Sequence, residues 1–149
     1  MGIRRWHVEK EAIEASHLMR AAIEYEIHLP LGYIPTGLAT DSTGVKFETK
    51  RIVLSSQNVK HLSAAYLETD LQQLTGGTVA IDLYNYTDGT IMTTISLTAT
   101  TMRAESSNVI SYIIAGKTIG VRFRVVTAGA AGSVGGGCSP VLKLRYSIS

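Results

Sequence analysis

At 149 residues the chain is long enough for one compact domain and too short for two ordinary ones. Hydrophobic residues make up 45% and charged residues 17%, which supplies a real core and excludes gross disorder. Fourteen Lys and Arg against twelve Asp and Glu leave a net charge of +2, too little for a protein that grips nucleic acid mainly through charge. The lone Cys138 excludes an internal disulfide framework and a cysteine-built zinc site.

The N-terminus carries residues that imitate targeting signals without completing them. Arg4-Arg5 is followed by Glu9, Lys10, Glu11 and Glu14 rather than by the apolar stretch of a twin-arginine signal. Met1-Gly2 would suit myristoylation, but Trp6 stands where that motif wants Ser or Thr. No window approaches the roughly 18 apolar residues of a membrane helix, so the chain reads as a soluble product made in the cytoplasm.

From Val8 to Ile27 the spacing predicts an amphipathic helix. Val8, Ala12, Ala15, Met19, Ala22 and Glu26 recur at alternating steps of four and three, and Ile13, Leu18 and Ile23 widen the stripe. Lys10/Glu14 and Arg20/Glu24 are opposite-charge pairs one turn apart, and Pro30 and Gly32 stop the pattern. The face made by Val8, Ala12, Ala15, Met19, Ala22 and Ile23 is expected to be buried, either on its own domain or as an arm on a neighbouring subunit. Residues 30–44, which hold two of the three prolines and three glycines, read as an extended connector. The expected organisation is therefore an arm over 1–30, a connector over 31–44 and a β-domain over 45–149.

Beyond the connector the period changes to two. Val45 and Phe47 alternate with Lys46 and Glu48, and Ile52 and Leu54 take the opposite parity, which predicts a bulge near Lys50-Arg51. Leu62 to Leu71 would serve a helix or a strand; the Thr75-Gly76-Gly77 turn after it favours a strand. Thr78–Tyr86 alternates cleanly, Asp88-Gly89 is a hairpin signal, and the returning strand sets Ile91, Ile95, Leu97 and Ala99 on its inner face. Further strands are expected over Asn108–Ile114, Thr118–Thr127 and Val141–Ile148, with Leu142, Leu144, Tyr146 and Ile148 inward. The glycine-rich stretch Ala128–Gly137 between the last two is expected to be a mobile loop, or one ordered by a partner. About seven short alternating strands with turn chemistry between them predict a mainly β protein, an antiparallel β-sandwich or barrel.

Reactive motifs are sparse. Ala115-Gly116-Lys117-Thr118 imitates the end of a phosphate-binding loop, but Ser111 stands where the first glycine belongs and no helix follows. His7, His17, His28 and His61 never fall at the i,i+4 spacing of a metal pair, and no cofactor or metal is expected. Glu68 and Asp70 share a strand face about 7 Å apart, a spacing carboxylate chemistry could use. An exposed strand face with two acids is far commoner, and no nucleophile elbow is present, so no enzyme is expected. Asp88 is explained by its turn.

After Glu105 the chain has no acid at all, while Lys117, Arg122, Arg124, Lys143 and Arg145 all follow it. Arg122, Arg124, Lys143 and Arg145 would form a charged contact face if their strands were neighbours; Glu68, Asp70 and Asp82 on adjacent strands would instead neutralise them. No aromatics interleave with these bases, so specific nucleic-acid binding is not expected.

The runs Ala65-Tyr66-Leu67-Glu68, Gly76–Asn85 and Thr87-Asp88-Gly89 resemble the middle of jelly-roll β-sandwich domains in structural proteins of tailed phages and archaeal viruses, and in some surface-binding modules. Ile13–Leu18 is similar to arm segments of phage fibre and head proteins. The resemblance covers about half the chain and implies self-association, often as trimers, attachment to a capsid or tail lattice, and no catalytic residue. The expectation is a virion component, such as a head-decoration protein, that forms a homo-oligomer through its arm. The alternative is a carbohydrate-binding module presenting Tyr84, Tyr86 and Tyr112.

Overall fold

Alternation at a period of two decides most of the local structure, because each strand must turn one face to the core and the other outward. The computed structural model describes residues 24–148, and its long elements are antiparallel strands. In chain order they are β1 (Glu24–Pro30), β2 (Leu38–Ala39), β3 (Gly44–Glu48), β4 (Ile52–Val53), β5 (Leu62–Leu71), β6 (Gln73–Leu74), β7 (Thr78–Asn85), β8 (Thr90–Leu97), β9 (Thr101–Glu105), β10 (Thr118–Thr127), β11 (Val134–Gly136) and β12 (Val141–Ser147). A short helix, α1 (Ser56–Val59), precedes β5, and Ser55 caps it by accepting the Asn58 N–H.

The pairing is nested. β1 pairs with β12, β3 and β4 with β10, β5 with β9, and β7 with β8, all antiparallel. Contacts of β12 with β5 and of β10 with β7 then join these pairs into two sheets, ordered β1-β12-β5-β9 and β3-β10-β7-β8 with β4 beside β10. The chain thus follows the path of one long hairpin doubled over on itself. A single apolar core unites the sheets: Leu67, Leu142 and Leu144 from the first meet Val79, Ile81, Leu83, Val121 and Phe123 from the second. Each large side chain buried there contributes roughly 1.5–3 kcal/mol of transfer free energy.

A third, small sheet, β2-β11-β6, closes one end. It ties the connector to the glycine-rich stretch: Thr40 donates its N–H to Ser133 O at 2.8 Å, Ile34 donates to Cys138 O at 2.8 Å, and Thr75 donates to Val134 O at 2.9 Å. Leu31, Ile34 and Thr40 of the connector are buried. Of the stretch expected to be mobile, the second half is instead packed, with Ser133, Gly135, Gly136 and Gly137 buried, while Ala130, Ala131 and Gly132 are exposed. Close approach requires Gly129, Gly136 and Gly137: at Gly136, where φ is +124°, a Cβ would run into the Pro35 carbonyl.

Strands expected over 62–71, 78–86, 118–127 and 141–148 are found within a residue at each end. Other expectations need correction. The helix expected over Val8–Ile27 falls mostly outside the described residues, but its last residues, Glu24–Ile27, lie in β1, where Tyr25, Ile27 and Leu29 face Tyr146, Leu144 and Leu142 across the ladder. Asn108–Ile114 is not a strand. Asn108 and Ser106 cap strand β5 by side chain, Oδ1 and Oγ accepting the Ala65 and Leu67 N–H groups at 3.0 Å each, and a 3₁₀ turn follows at Ile110–Tyr112. The bulge expected at Lys50-Arg51 is a full interruption between β3 and β4, which pair separately with β10. Ile91 is 46% exposed and Met92 is buried, because the register slips between Leu83 and Tyr84 and reverses the parity of the end of β8. Ile148 lies beyond β12 and is exposed.

Candidate functional site

The interface residues expected on the arm, Val8, Ala12, Ala15, Met19, Ala22 and Ile23, lie outside the described residues. The four bases expected to share a contact face lie on two different sheets, and the structure does not bring them together. Arg122 and Arg124 are on β10, in the sheet with β7 and β8; Lys143 and Arg145 are on β12, in the sheet with β1 and β5.

On the first of these outer faces Asp82 is wholly buried. It accepts from Arg124 Nε at 2.8 Å and Nη2 at 3.1 Å, and from Thr94 Oγ1 at 2.6 Å. The fork geometry matches a carboxylate, and the bond to Asp82 raises the Arg124 pKa further. Arg122 lies 4.1 Å over the Tyr84 ring and 3.9 Å from Glu48, and Arg51 lies 3.8 Å over the Tyr86 ring. Tyr84 and Tyr86 meet edge to face at 4.9 Å. Guanidinium groups therefore occupy ring faces that a sugar would need, and Tyr84 and Tyr86 act as packing partners.

On the other outer face Lys143 is the hub. Its Nζ reaches Glu105 at 2.5 Å and Glu68 at 3.1 Å, with Glu26 at 3.9 Å. Glu68 and Glu105 stand directly opposite each other on β5 and β9, a repulsive placement that Lys143 and Arg103 neutralise from between. The bond to Glu105 raises the Lys143 pKa against the effect of burial. Burial works against the charged form of Glu68, but Lys143 and Arg103 outweigh it and hold the carboxyl below its ordinary value. The bond to His28, with Lys143 and Arg145 nearby, likewise lowers Glu26. Glu68 and Asp82 thus neutralise bases as the sequence suggested, while Glu26, Glu48 and Glu105 were not among the acids it offered. Asp70 pairs with the backbone instead, its Oδ1 accepting the Ser139 N–H at 2.6 Å.

The remaining chemical candidates are also engaged. Cys138 is fully buried, and burial together with the Asp70 charge pushes its thiol up to about 12, far from a nucleophilic thiolate. Asp88 accepts from Lys117 Nζ at 3.0 Å and from the Asn85 amide at 3.0 Å, a turn lock at the β7–β8 hairpin. Among the described residues no three His, Cys, Asp or Glu side chains converge as metal ligands, and no helix is long and apolar enough to cross a membrane.

One surface left open is apolar. The two sheets leave an open side between their edge strands, β1 and β4, where a groove of about 290 Å³ lies. Ile27 and Leu29 line it from β1, Ile52, Val53 and Leu54 from and beside β4, and Leu144 and Tyr146 from β12. Tyr25 stacks on Tyr146 at 5.0 Å between ring centroids and 15° between planes, and the Tyr146 hydroxyl donates to Asn58 O at 2.5 Å. Tyr25 and Ile27 point toward the core side of β1 yet are each 46% exposed, and Val53 is 56% exposed. Sequence reading missed this groove. Its signal was the alternation of Tyr25, Ile27 and Leu29, which the helical spacing upstream overrode.

The chain matches no protein-family profile and no curated protein. Among solved structures it is similar to a chain in the structure of infectious bursal disease virus, Gx strain, at 14% identity and a TM-score of 0.45, over 85% of this chain and 33% of that one. It spans about a third of that viral chain's length. It is also similar to a chain of Bacillus endospore appendages, described as disulfide-linked pili, at 14% identity and a TM-score of 0.34, over 87% of this chain and 94% of that one. Likenesses of this grade leave the chain's function to its own geometry.

Proposed function

We propose that this protein is a non-enzymatic jelly-roll subunit of a virion, a capsid-decoration or similar accessory protein that assembles as a homo-oligomer, with a trimer favoured. The observation that carries the reading is the nested strand order, β1-β12-β5-β9 against β3-β10-β7-β8. That order is what a doubled-over hairpin of eight strands produces, the wrapping used by viral capsid subunits, lectins and cupins. Within that set, the structural role is favoured by how this chain spends its polar groups. The acids and bases of both outer faces are consumed in pairs, Cys138 is shut in the core, and two of the three candidate sugar-stacking tyrosines are paired with arginines. An apolar surface is left open beside β1, where the chain from residues 1–23 joins the domain.

In this reading the N-terminal segment, through Val8, Ala12, Ala15, Met19, Ala22 and Ile23, is the assembly element. The partners are further copies of the same chain and a capsid or tail lattice protein. Native mass spectrometry across a concentration series tests it. A discrete multimer that persists on dilution is expected; a monomer at every concentration would overturn the assembly role.

A further inference from the structure

We infer that the free edge of β8 is a docking site for the β8 edge of a second copy of this chain, the two strands running antiparallel about a two-fold axis. The inference rests on the assembly reading above and names a contact between subunits that lies wholly within the described residues.

The edge strands of the two large sheets are β1 and β9 in one, and β8 with the β3–β4 side in the other. An edge leaves a row of backbone N–H and C=O groups open to another chain, and proteins ordinarily guard it with charges, proline or shortness. Three of these four edges are guarded. β1 carries Glu24, Glu26 and His28 and ends at Pro30, β9 carries Arg103 and Glu105, and β3 carries Lys46 and Glu48 while β4 is two residues long. β8 has no such guard. Its eight residues, Thr90–Leu97, include no charge and no proline, and the uncharged run extends from Gly89 to Met102. Its register with β7 slips only beyond Thr93, so Thr93–Leu97 is a regular stretch. Among the described residues β7 is its one strand neighbour, and no hydrogen bond outside that ladder reaches its backbone.

The chemistry of the edge selects its occupant. A row of backbone donors and acceptors is matched by another extended strand. A second β8 sets no like charges opposite each other in any register, and with the outer faces aligned it brings Thr94 and Ser96 against the same residues across the junction. On the inner side Ile95 is buried and Leu97 only partly so, and a strand laid along the edge extends the apolar face beyond Leu97. Antiparallel pairing of one patch with itself closes at two copies. The contact covers a single strand edge on each copy, too little for a stable dimer of isolated chains, and it gains strength where multimers present several edges at once. It therefore joins multimers to one another rather than holding a multimer together.

Sedimentation velocity of the full-length chain, from the low micromolar to the millimolar range, tests this. Beyond the mass present at the lowest concentration, the wild type should gain a reversible step that raises the mean mass about twofold or more. Ser96 is exposed, so Ser96→Lys and Ser96→Glu should each keep the wild-type melting curve. Each should abolish the step by setting like charges beside the two-fold axis, whereas Ser96→Ala should leave it intact. An equimolar mixture of the Ser96→Lys and Ser96→Glu chains should restore it. A step that persists in Ser96→Lys would overturn the edge as the contact, as would a wild-type mass that stays constant across the series. A step lost in both charged variants and not restored by mixing would overturn the self-pairing, because β8 would then meet a different surface. The mass at the lowest concentration bears on the assembly reading separately: a monomer there, with the charge-sensitive step intact, sinks that reading and supports the edge.

Discussion

Removing Arg124 should destabilise the fold more than removing Asp82, although the two belong to one ion pair. Asp82 is fully buried, whereas the Arg124 side chain keeps 29% of its surface in contact with solvent. Breaking a buried pair by deleting one partner costs about 3–5 kcal/mol, because the charge left behind is neither paired nor hydrated. In Arg124→Met the orphan is the enclosed carboxylate, which loses both guanidinium bonds and keeps only the Thr94 hydroxyl, so the cost should fall in that full range. In Asp82→Asn the orphan is a guanidinium that can swing into water, and the cost should be smaller, about 2 kcal/mol. For a chain of this size each kcal/mol moves the melting temperature by roughly 2–4 °C. Arg124→Met should therefore melt about 6–20 °C below wild type at pH 7, and Asp82→Asn about 4–8 °C below. The double variant Asp82→Leu/Arg124→Met buries no charge and should recover most of the loss. Circular-dichroism melts, with urea titrations to confirm an unchanged m-value, provide the comparison. Equal losses in the two single variants, or losses within about 0.5 kcal/mol of zero, would refute the view that a buried carboxylate organises this face.

Other consequences follow from the same geometry. Glu68 and Glu26 hold their carboxyls below the ordinary value when folded, so the unfolded chain takes up protons first; the stability they lend is present above about pH 4.5 and is lost as pH falls through their folded values. Melting temperature should drop on acidification from pH 5 to pH 3, and Glu68→Gln should be less stable at pH 7 with a shallower drop; identical slopes would contradict the Lys143 network. Gly136→Ala forces a Cβ against the Pro35 carbonyl at a positive φ, and should cost more than the ~1 kcal/mol typical of a strained left-handed position, read by urea denaturation. The Cys138 thiol should resist a disulfide reagent in the native protein and react at once in denaturant; prompt native reaction would mean that the β2-β11-β6 end opens.

The sequence showed strands where alternation was strong and local, as in β7, β10 and β12, and it read β5 correctly from the turn that follows. It failed where long-range pairing decides the outcome. Glu24–Pro30 carries apolar residues that fit a strand and also continue a helical stripe; only β12, at the other end of the chain, selects the strand. Strand β9 was missed because Thr101–Glu105 is short, with only Met102 and Ala104 apolar, and lies at a sheet edge where Met102 is 95% exposed. The glycine-rich stretch looked loose because composition reports freedom in the unfolded chain, whereas close backbone approach to Pro35 and Gln72 appears only after folding. Each base was identifiable as a charge, but its carboxylate partners lie on other strands, so a basic face and two neutral ones look the same along the chain. The groove is legible only once β1 and β4 are known to face each other.

Solution mass by light scattering on a sizing column, run side by side for the full chain and for residues 24–149, addresses the central claim most directly. All of the core described above lies within residues 24–148, so the shortened chain should keep its β-sheet spectrum and cooperative melt. The account predicts a defined multimer for the full chain and a folded monomer for the shortened one. A shortened chain that assembles as the full chain does, or a full chain that is monomeric, would contradict it.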